Sequence, residues 1–433
     1  MKIIKLTTEP FISLAKTQTA KNTYLSFLAN FINGITILAF NIICSRTFGP
    51  SLYGVFSLTI TLYVVLYDIF GLGIDQGMIR FIAFYLAKKN FSKANAFAKF
   101  GFLFRFFFGA LVSIVGFSLS EFIAQNIFNL PQLAIPLKIA FIGEFGIGLL
   151  GWAIRYFMAQ QNFLKVAIFE SIKGILRLVL LFLMFLLAKI DIFKATAIYT
   201  IIPLLVFLLA FLTVSKKFLK AKITNKTIFK LIHFSKWLFV WAATATFHSR
   251  VDLLMLARLK GSFAVGIYSV ASGLMVGFIW LISAFSNVLA PKLSQISSQE
   301  QFVVILKKSF MAIFGFLFLI ATAFILAKPI IVILFSPIYE KSIPIFQILC
   351  IGIAFFALNT PFMSSLYAIG KSKSIALLSI FQLFLLVTIN LFTIPTFDVI
   401  GPAITFISVN LITTALTIYL VYMKLKKGTL YSR

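Results

Sequence analysis

The sequence predicts an all-α integral membrane protein of about 12 transmembrane helices, built from two pseudo-symmetric six-span halves. Three observations carry this. Hydrophobic residues make up 61% of the chain against 12% charged, and the mean hydropathy is +1.05; soluble domains carry about a quarter charged residues. Apolar runs of about 20 residues, the length that crosses the hydrocarbon as a helix, recur throughout. Finally, one short frame occurs twice.

The spans fall at 24–45, 52–72, 97–119, 135–157, 165–187 and 195–214 in the first half. In the second half they fall at 233–256, 263–290, 306–334, 343–368, 374–394 and 401–423. Helices are the spanning element, because barrel strands are shorter and alternate polar with apolar residues. The basic connector Lys216–Lys230, KKFLKAKITNKTIFK, divides the chain into a first bundle (1–215), a cytoplasmic linker (216–230) and a second bundle (231–433).

The duplicated frame is R-x-x-G-x(4)-G-[VI]-[FY]-S. It lies in SRTFGPSLYGVFSL (45–58) and ARLKGSFAVGIYSV (257–270) at a constant offset of 212 residues. Arg46 matches Arg258, Gly49 matches Gly261, Gly54 matches Gly266 and Ser57 matches Ser269. Each copy joins the first two spans of a half, where glycine permits a tight re-entry into the bilayer. A weaker echo pairs KIDIFKATAI (189–198) with TFDVIGPAI (396–404). Both halves begin and end on the same side, so the repeats are parallel, related about an axis along the membrane normal.

The net charge of +28 orients the chain. With the N-terminus inside, 27 Lys and Arg residues fall on inner segments and 7 on outer ones, the bias expected of cytoplasmic loops. Both termini are therefore expected in the cytoplasm, the location is the cell membrane, and no nucleic-acid partner is required. No cleavable signal peptide is evident in residues 1–23, and the first span serves as the insertion signal. Cys44 and Cys350 lie in or beside spans, which does not suggest a disulfide framework.

Motifs for chemistry are absent. Gly370–Ser372 ends like a phosphate loop, but Ser365 stands where an earlier glycine is required. GLGIDQG (71–77) has the wrong spacing for a dinucleotide fingerprint. His233 and His248 form no metal motif. The expectation is a non-enzyme without cofactor or metal.

Ionisable residues inside spans are then the functional candidates. Span five presents Glu170, Lys173 and Arg177 on one face, with Arg177 roughly 18 Å from the inner end, near mid-bilayer. Two cations with one anion suit a phosphate-bearing ligand. Span four aligns Glu144, Gly148, Gly151 and Arg155; span one aligns Asn30, Gly34, Asn41 and Ser45; span seven aligns Trp237, Trp241, Thr244, His248 and Asp252. The small and polar members of these stripes also serve as packing devices between membrane helices. Arg250 lies about 200° around the helix from Asp252. Arg105, near the inner end of span three, is within snorkelling reach of the interface. Lys328 precedes Pro329 and marks a kink. Lys173, Arg177, Arg250 and Arg105 are the candidates for substrate, and Glu144, Glu170 and Asp252 for a coupling ion.

Three stretches resemble a family. These are SRTFGPSLYGVFSLTITLYVVLYDIFGLGIDQGMIRFIAFYLAKKN (45–90), RVDLLMLARLKGSFAVGIYSVASGL (250–274) and LFSPIYEKSIPIFQILCIG (334–352). They look like Wzx-type polysaccharide flippases of the multidrug/oligosaccharidyl-lipid/polysaccharide superfamily. The resemblance implies two six-helix bundles around a central cavity that opens alternately to either side. It implies a polyprenyl-diphosphate-linked oligosaccharide as substrate but supplies no invariant set of residues; on the reading of the spans above, Lys173 and Arg177 would face the diphosphate. Membrane lipids surround such a protein, and a polysaccharide polymerase and other assembly proteins are its expected partners. A cation-coupled drug antiporter of the same superfamily would favour acidic cavity residues. A polysaccharide polymerase or ligase would carry a long outer loop with catalytic residues.

The orientation is directly testable. In a background lacking Cys44 and Cys350, single cysteines at Ser51, Gln125 and Asp398 should react with an impermeant thiol reagent in intact cells. Those at Asn225, Ser298 and Ser372 should stay silent. Labelling of Asn225 from outside would overturn the two-bundle arrangement.

Overall fold

The computed structural model describes residues 18–294, 299–368 and 372–426. Ser298, Gly370, Lys371, the basic residues Lys2, Lys5 and Lys16, and the tail beyond Lys426 lie outside the described residues. Among the described residues there is no strand. The helices are α1 (Gln18–Phe70), α2 (Ile74–Ala87), α3 (Phe91–Phe122), α4 (Ala134–Ala159), α5 (Phe163–Leu186) and α6 (Ile192–Leu212). They continue as α7 (Asn225–Ser294), α8 (Gln299–Ile325), α9 (Ala327–Phe335), α10 (Ser342–Ala368), α11 (Ser372–Phe397) and α12 (Gly401–Lys426).

Among the described residues, eight segments are long and apolar enough to cross a bilayer. The two that cover α1 and α7 each contain a sharp break, and a third, Leu377–Met423, contains both α11 and α12. Dividing these three and adding α5, which carries Glu170, Lys173 and Arg177, gives the twelve spans predicted. Each break is a single left-handed glycine: Gly49 (φ 68°, ψ 173°) in α1 and Gly261 (φ 79°, ψ −174°) in α7. These are matched positions of the repeat, and the expected re-entry needs only one residue where no side chain opposes a positive φ. Lys328 and Pro329 stand in the first turn of α9, just beyond the break at Leu326 that ends α8.

One helix is new. Residues 74–87 read as part of an inner connection, but they form α2, about 21 Å long at 1.5 Å per residue and too short to span. Ile74, Met78, Ile82 and Tyr85 make its buried face. Gly73 begins it in the left-handed conformation. A Cβ at Gly73 would lie 2.6 Å from the Ser235 carbonyl oxygen, and one at Gly77 would lie 2.6 Å from a Leu231 methyl. The glycines of GLGIDQG thus admit α2 against the start of α7.

The chain forms two compact units. Unit 1 contains residues 1–43, 66–120 and 135–242; unit 2 contains 44–65, 121–134 and 243–433. The division differs from one at the basic connector, because residues 216–242 pack in unit 1 while residues 44–65 and 121–134 pack in unit 2. The physical reason for the first difference is Phe218. It is fully buried against Phe102, Trp152, Tyr156 and Phe211, and Lys99 Nζ donates to the Ala221 carbonyl at 3.0 Å. In the same core Trp152 Nε1 donates to the Ala98 carbonyl at 3.0 Å. Asn162 caps α5 and Asp191 caps α6 through the backbone N–H groups of Lys165 and Lys194.

Unit 2 holds both copies of the repeat, and they meet. A Cβ on Gly54 would lie 1.8 Å from the carbonyl oxygen of Ser262, and one on Gly266 would lie 2.0 Å from that of Pro50. Pro50 and Ser262 are themselves matched at the 212 offset, so the two contacts are reciprocal. Between them, the Ser57 hydroxyl donates to its own counterpart, Ser269, at 2.7 Å. Further ties surround the crossing. Arg46 Nε donates to the Leu334 carbonyl at 2.8 Å, Tyr339 Oη to that of Ser45 at 3.0 Å, and Ser342 Oγ to that of Ile267 at 2.7 Å. Cys44 and Cys350 are both buried and unbridged.

The crossing separates two kinds of glycine. Gly54→Ala and Gly266→Ala put a methyl into a backbone carbonyl that cannot rotate away, costing about 1–3 kcal/mol as overpacking does. Gly49→Ala meets open space but must hold φ 68° with ψ 173°, a region essentially confined to glycine, at about 1–3 kcal/mol. Thermal unfolding in detergent should therefore set in at lower temperature for Gly54→Ala and Gly266→Ala than for the unsubstituted protein, and unchanged stability in both would refute the close crossing.

Candidate functional site

A polar network runs through the apolar interior of unit 1. Its first part is built by α5. Lys173 Nζ and Glu170 Oε2 pair at 2.5 Å, one turn apart on a largely buried face. Arg177, one further turn along, is 5% exposed and does not join that pair. Its guanidinium carbon lies 4.0 Å above the centre of the Tyr199 ring of α6, while Nε and Nη2 are buried with no hydrogen-bond partner. Stacking on an aromatic face satisfies charge but no N–H. Buried donors left in this state are costly, so a native one calls for an explanation.

The wall opposite comes from α1. A Cβ at Gly174 would lie 2.4 Å from Thr36 Oγ1 and 3.4 Å from Asn33 Oδ1, so the glycine lets α1 close on α5. Asn33 Oδ1 is a second buried atom without a partner. The residues of α1 here are Asn33 and Thr36, not Asn30, which is exposed. Arg155 of α4 completes this part: its charge acts on Glu170, and its Nε is buried without a partner.

The second part gathers at the α1–α2 break. Arg105 of α3 does not snorkel. It is buried and gives Nε to Asp75 Oδ1 at 3.2 Å and Nη2 to Oδ2 at 2.6 Å. Its guanidinium carbon also sits 5.0 Å from the Tyr67 ring centre. The physical reason is that Asp75, in the first turn of α2, offers an ion pair inside the fold. Glu144 of α4 is buried beside this pair, and its Oε2 has no hydrogen-bond partner. The α4 stripe faces the same place: a Cβ at Gly148 would lie 3.7 Å from Arg105 Cδ, and one at Gly151 would lie 2.3 Å from Tyr67 Oη.

Arg250 and Asp252 belong to unit 2. Asp252 is held by Tyr268, whose hydroxyl donates to Oδ2 at 2.5 Å, and by the Leu253 N–H, which donates to Oδ1 at 2.8 Å. Arg250 and His248 are among the charges acting on it. Trp237 of the same stripe is 73% exposed, and the side chain of Trp241 lies outside the described residues. The structure therefore assembles Lys173, Arg177, Glu170, Glu144 and Arg105 in one unit, and Asp252 with Arg250 in the other. Among the described residues no cluster suited to a metal ion occurs.

Sequence reasoning missed Asp75, Tyr67, Asn33 and Thr36. Asp75 was hidden because its segment read as a connection; the alternation of Ile74, Met78 and Ile82 at helical spacing was the available signal.

Three comparisons bear on this site. Residues 19–297 match the family described as polysaccharide biosynthesis protein. A putative O-antigen transporter of Shigella flexneri is 25% identical over 202 residues, covering 46% of this chain and 48% of the relative. The aligned region spans about half the length of the curated relatives that the chain matches. Among solved structures, a multidrug resistance MATE family transporter of the MOP superfamily, in an inward-facing conformation, superposes with a TM-score of 0.78 at 11% identity, over 92% of this chain and 96% of that one. The lipid II flippase MurJ, in an inward closed conformation, gives 0.73 at 16% identity, over 92% and 87%. The fold is therefore that of these transporters, and the match over more than half of its length makes this chain a member of the polysaccharide biosynthesis protein family.

Proposed function

We propose that the protein flips a polyprenyl-diphosphate-linked oligosaccharide across the cytoplasmic membrane by alternating access, for the assembly of a surface polysaccharide. The observation that carries the reading is Arg177. A buried guanidinium with two unpartnered donor nitrogens, at mid-span, is a cation waiting for an anion with several acceptor oxygens. A diphosphate is such an anion, and the planar fork of arginine suits it better than an ammonium does. Lys173 stands one turn away, its charge shared with Glu170. Tyr199 lies under the Arg177 guanidinium, and Asn33 Oδ1 faces Gly174, the residue after Lys173.

The family and the named relative support the same substrate class, and the fold supports transport. In this reading the two six-span halves, 1–215 and 231–433, face a central cavity with both termini in the cytoplasm. The sugar and diphosphate occupy the polar interior while the lipid tail remains in the bilayer. No chemical step is involved. A drug–cation antiporter would need an excess of acid where the substrate sits, whereas around Arg177 the cations Lys173 and Arg155 outnumber Glu170. Deleting the gene in the native host should cause complete lipid-linked repeat units to accumulate on the inner leaflet. Unpolymerised units outside would point to a polymerase instead.

The role of Arg177 has its own test. Arg177→Gln should cut export at least tenfold while leaving the protein in the membrane at near-normal abundance, because it removes a group whose Nε and Nη2 hold no hydrogen bond in the fold. Arg177→Lys should retain part of the transport, since the charge remains and the fork is lost. Glu170→Gln unpairs Lys173 and should lower abundance. Recovery of export in the Glu170→Gln/Arg177→Gln double variant would reject diphosphate binding.

A further inference from the structure

The structure assigns Glu144 as a proton-binding site whose state decides whether Arg105 holds Asp75, and so whether the break between α1 and α2 is latched. This deepens the transport reading by naming its coupling ion, and it rests on that reading only for what the proton drives.

The argument begins with the orphaned oxygen. Glu144 is 3% exposed, and its Oε2 has no hydrogen-bond donor. Charge on a carboxylate buried this deeply without a protein donor is costly, so this arrangement suits the neutral acid. The groups around it are few. From α3 comes Arg105, and from the end of α1 come Tyr67 and Asp68; Asp75 of α2 lies beyond the Arg105 guanidinium. On α4 itself the charged residues are Lys138 and Arg155. The α6 helix packs against the neighbouring Gly143 through Thr200, which carries no charge. Arg105 is the one cation acting on Glu144 among the described residues, and it is already committed to both oxygens of Asp75.

One arginine thus stands between two acids. Its Nε and Nη2 face Asp75, and Nη1 passes within 3.8 Å of where a Cβ would stand on Gly148, one turn beyond Glu144. Glycine at 148 leaves the guanidinium room to turn. When Glu144 gives up its proton, the new carboxylate has Arg105 as its nearest available counter-charge, and Asp75 loses a share of it. Asp75 belongs to the first turn of α2, directly after Gly71–Gly73, where Leu72 (φ 48°) and Gly73 (φ 67°) are both left-handed. A Cβ at Gly71 would lie 2.8 Å from Arg105 Nη2, so the guanidinium lies against the break itself. Proton loss at Glu144 therefore loosens the start of α2, and proton uptake restores the latch. Arg105 is a positioning residue: it carries the state of one acid to the other.

The test uses full-length protein in lipid nanodiscs, without any sugar substrate. Infrared difference spectra between acidic and alkaline buffer should show a protonated carboxylic acid band that disappears as the buffer becomes alkaline. Glu144→Gln should remove that band, and Glu144→Asp, which keeps the carboxyl, should retain it. A spin label at Gln76→Cys, on the exposed side of α2, should become more mobile as the band disappears. That response should be lost in Glu144→Gln, whose label stays in the acid-form state. It should also be lost in Arg105→Lys, while the infrared band survives there. A titrating band that persists in Glu144→Gln, or a label response that persists in that variant, overturns the proposal. Because no lipid-linked sugar is present, its failure leaves the export reading standing, and export by Arg177→Gln would leave the proton site standing.

Discussion

A charge placed in hydrocarbon must find a partner inside the protein, and the interior of this molecule is organised by that requirement. Water and bilayer offer nothing to a guanidinium at mid-span. The chain responds by building ion pairs across helices where it can. Arg105 reaches from α3 to Asp75, and Lys173 takes Glu170 on its own helix. Aromatic rings take what is left, as Tyr199 does for Arg177 and Tyr67 for Arg105. The same requirement acts on smaller groups. Thr196, Thr200, Thr413 and Thr417 return their hydroxyls to carbonyls one turn back, so that threonine sits in apolar helices without an orphan donor.

Against that background the exceptions are informative. Ser113, Ser235, Asn359 and Asn390 also keep a buried atom without a partner, but Arg177, Arg155, Glu144 and Asn33 are the ones that stand in or beside the charged network of unit 1. They lie in the unit that also contains the α1–α2 break, within elements joined by close glycine contacts at 71, 151 and 174. Such contacts let polar side chains converge without a large void. They also make the region sensitive to small changes in helix position, since few side chains cushion the approach.

Much of this was legible in the sequence. Hydropathy alone located the spans, because bilayer thickness sets a length that composition reveals directly. The duplicated frame located the two left-handed glycines, Gly49 and Gly261, and the face shared by Glu144, Gly148 and Gly151 followed from helical spacing. Other features depended on tertiary partners that no spacing displays. Sequence places Arg105 within reach of the interface, and its burial depends on Asp75, which sits on a helix too short to register as a span. On α1, Asn30 and Asn33 are separated by nearly a full turn, and only the position of Gly174 decides which of them faces the network. The basic connector looked like a linker because its lysines dominate its composition; the single buried Phe218 determines its packing.

The crossing of the two repeat copies has a consequence for the origin of the chain. Gly54 meets the backbone at position 262, Gly266 meets the backbone at position 50, and Ser57 meets Ser269. In each case a residue touches the counterpart of what its own counterpart touches. Contacts of this kind are isologous, the form taken by interfaces in two-fold homodimers. A six-span ancestor carrying one copy of the frame would already have possessed a self-complementary surface here, and fusion of two such halves would have preserved a junction that did not need to be invented. It also ties the copies together afterwards: bulk added at either glycine is resisted by the main chain of the other half, so neither copy can drift independently at the axis that relates them.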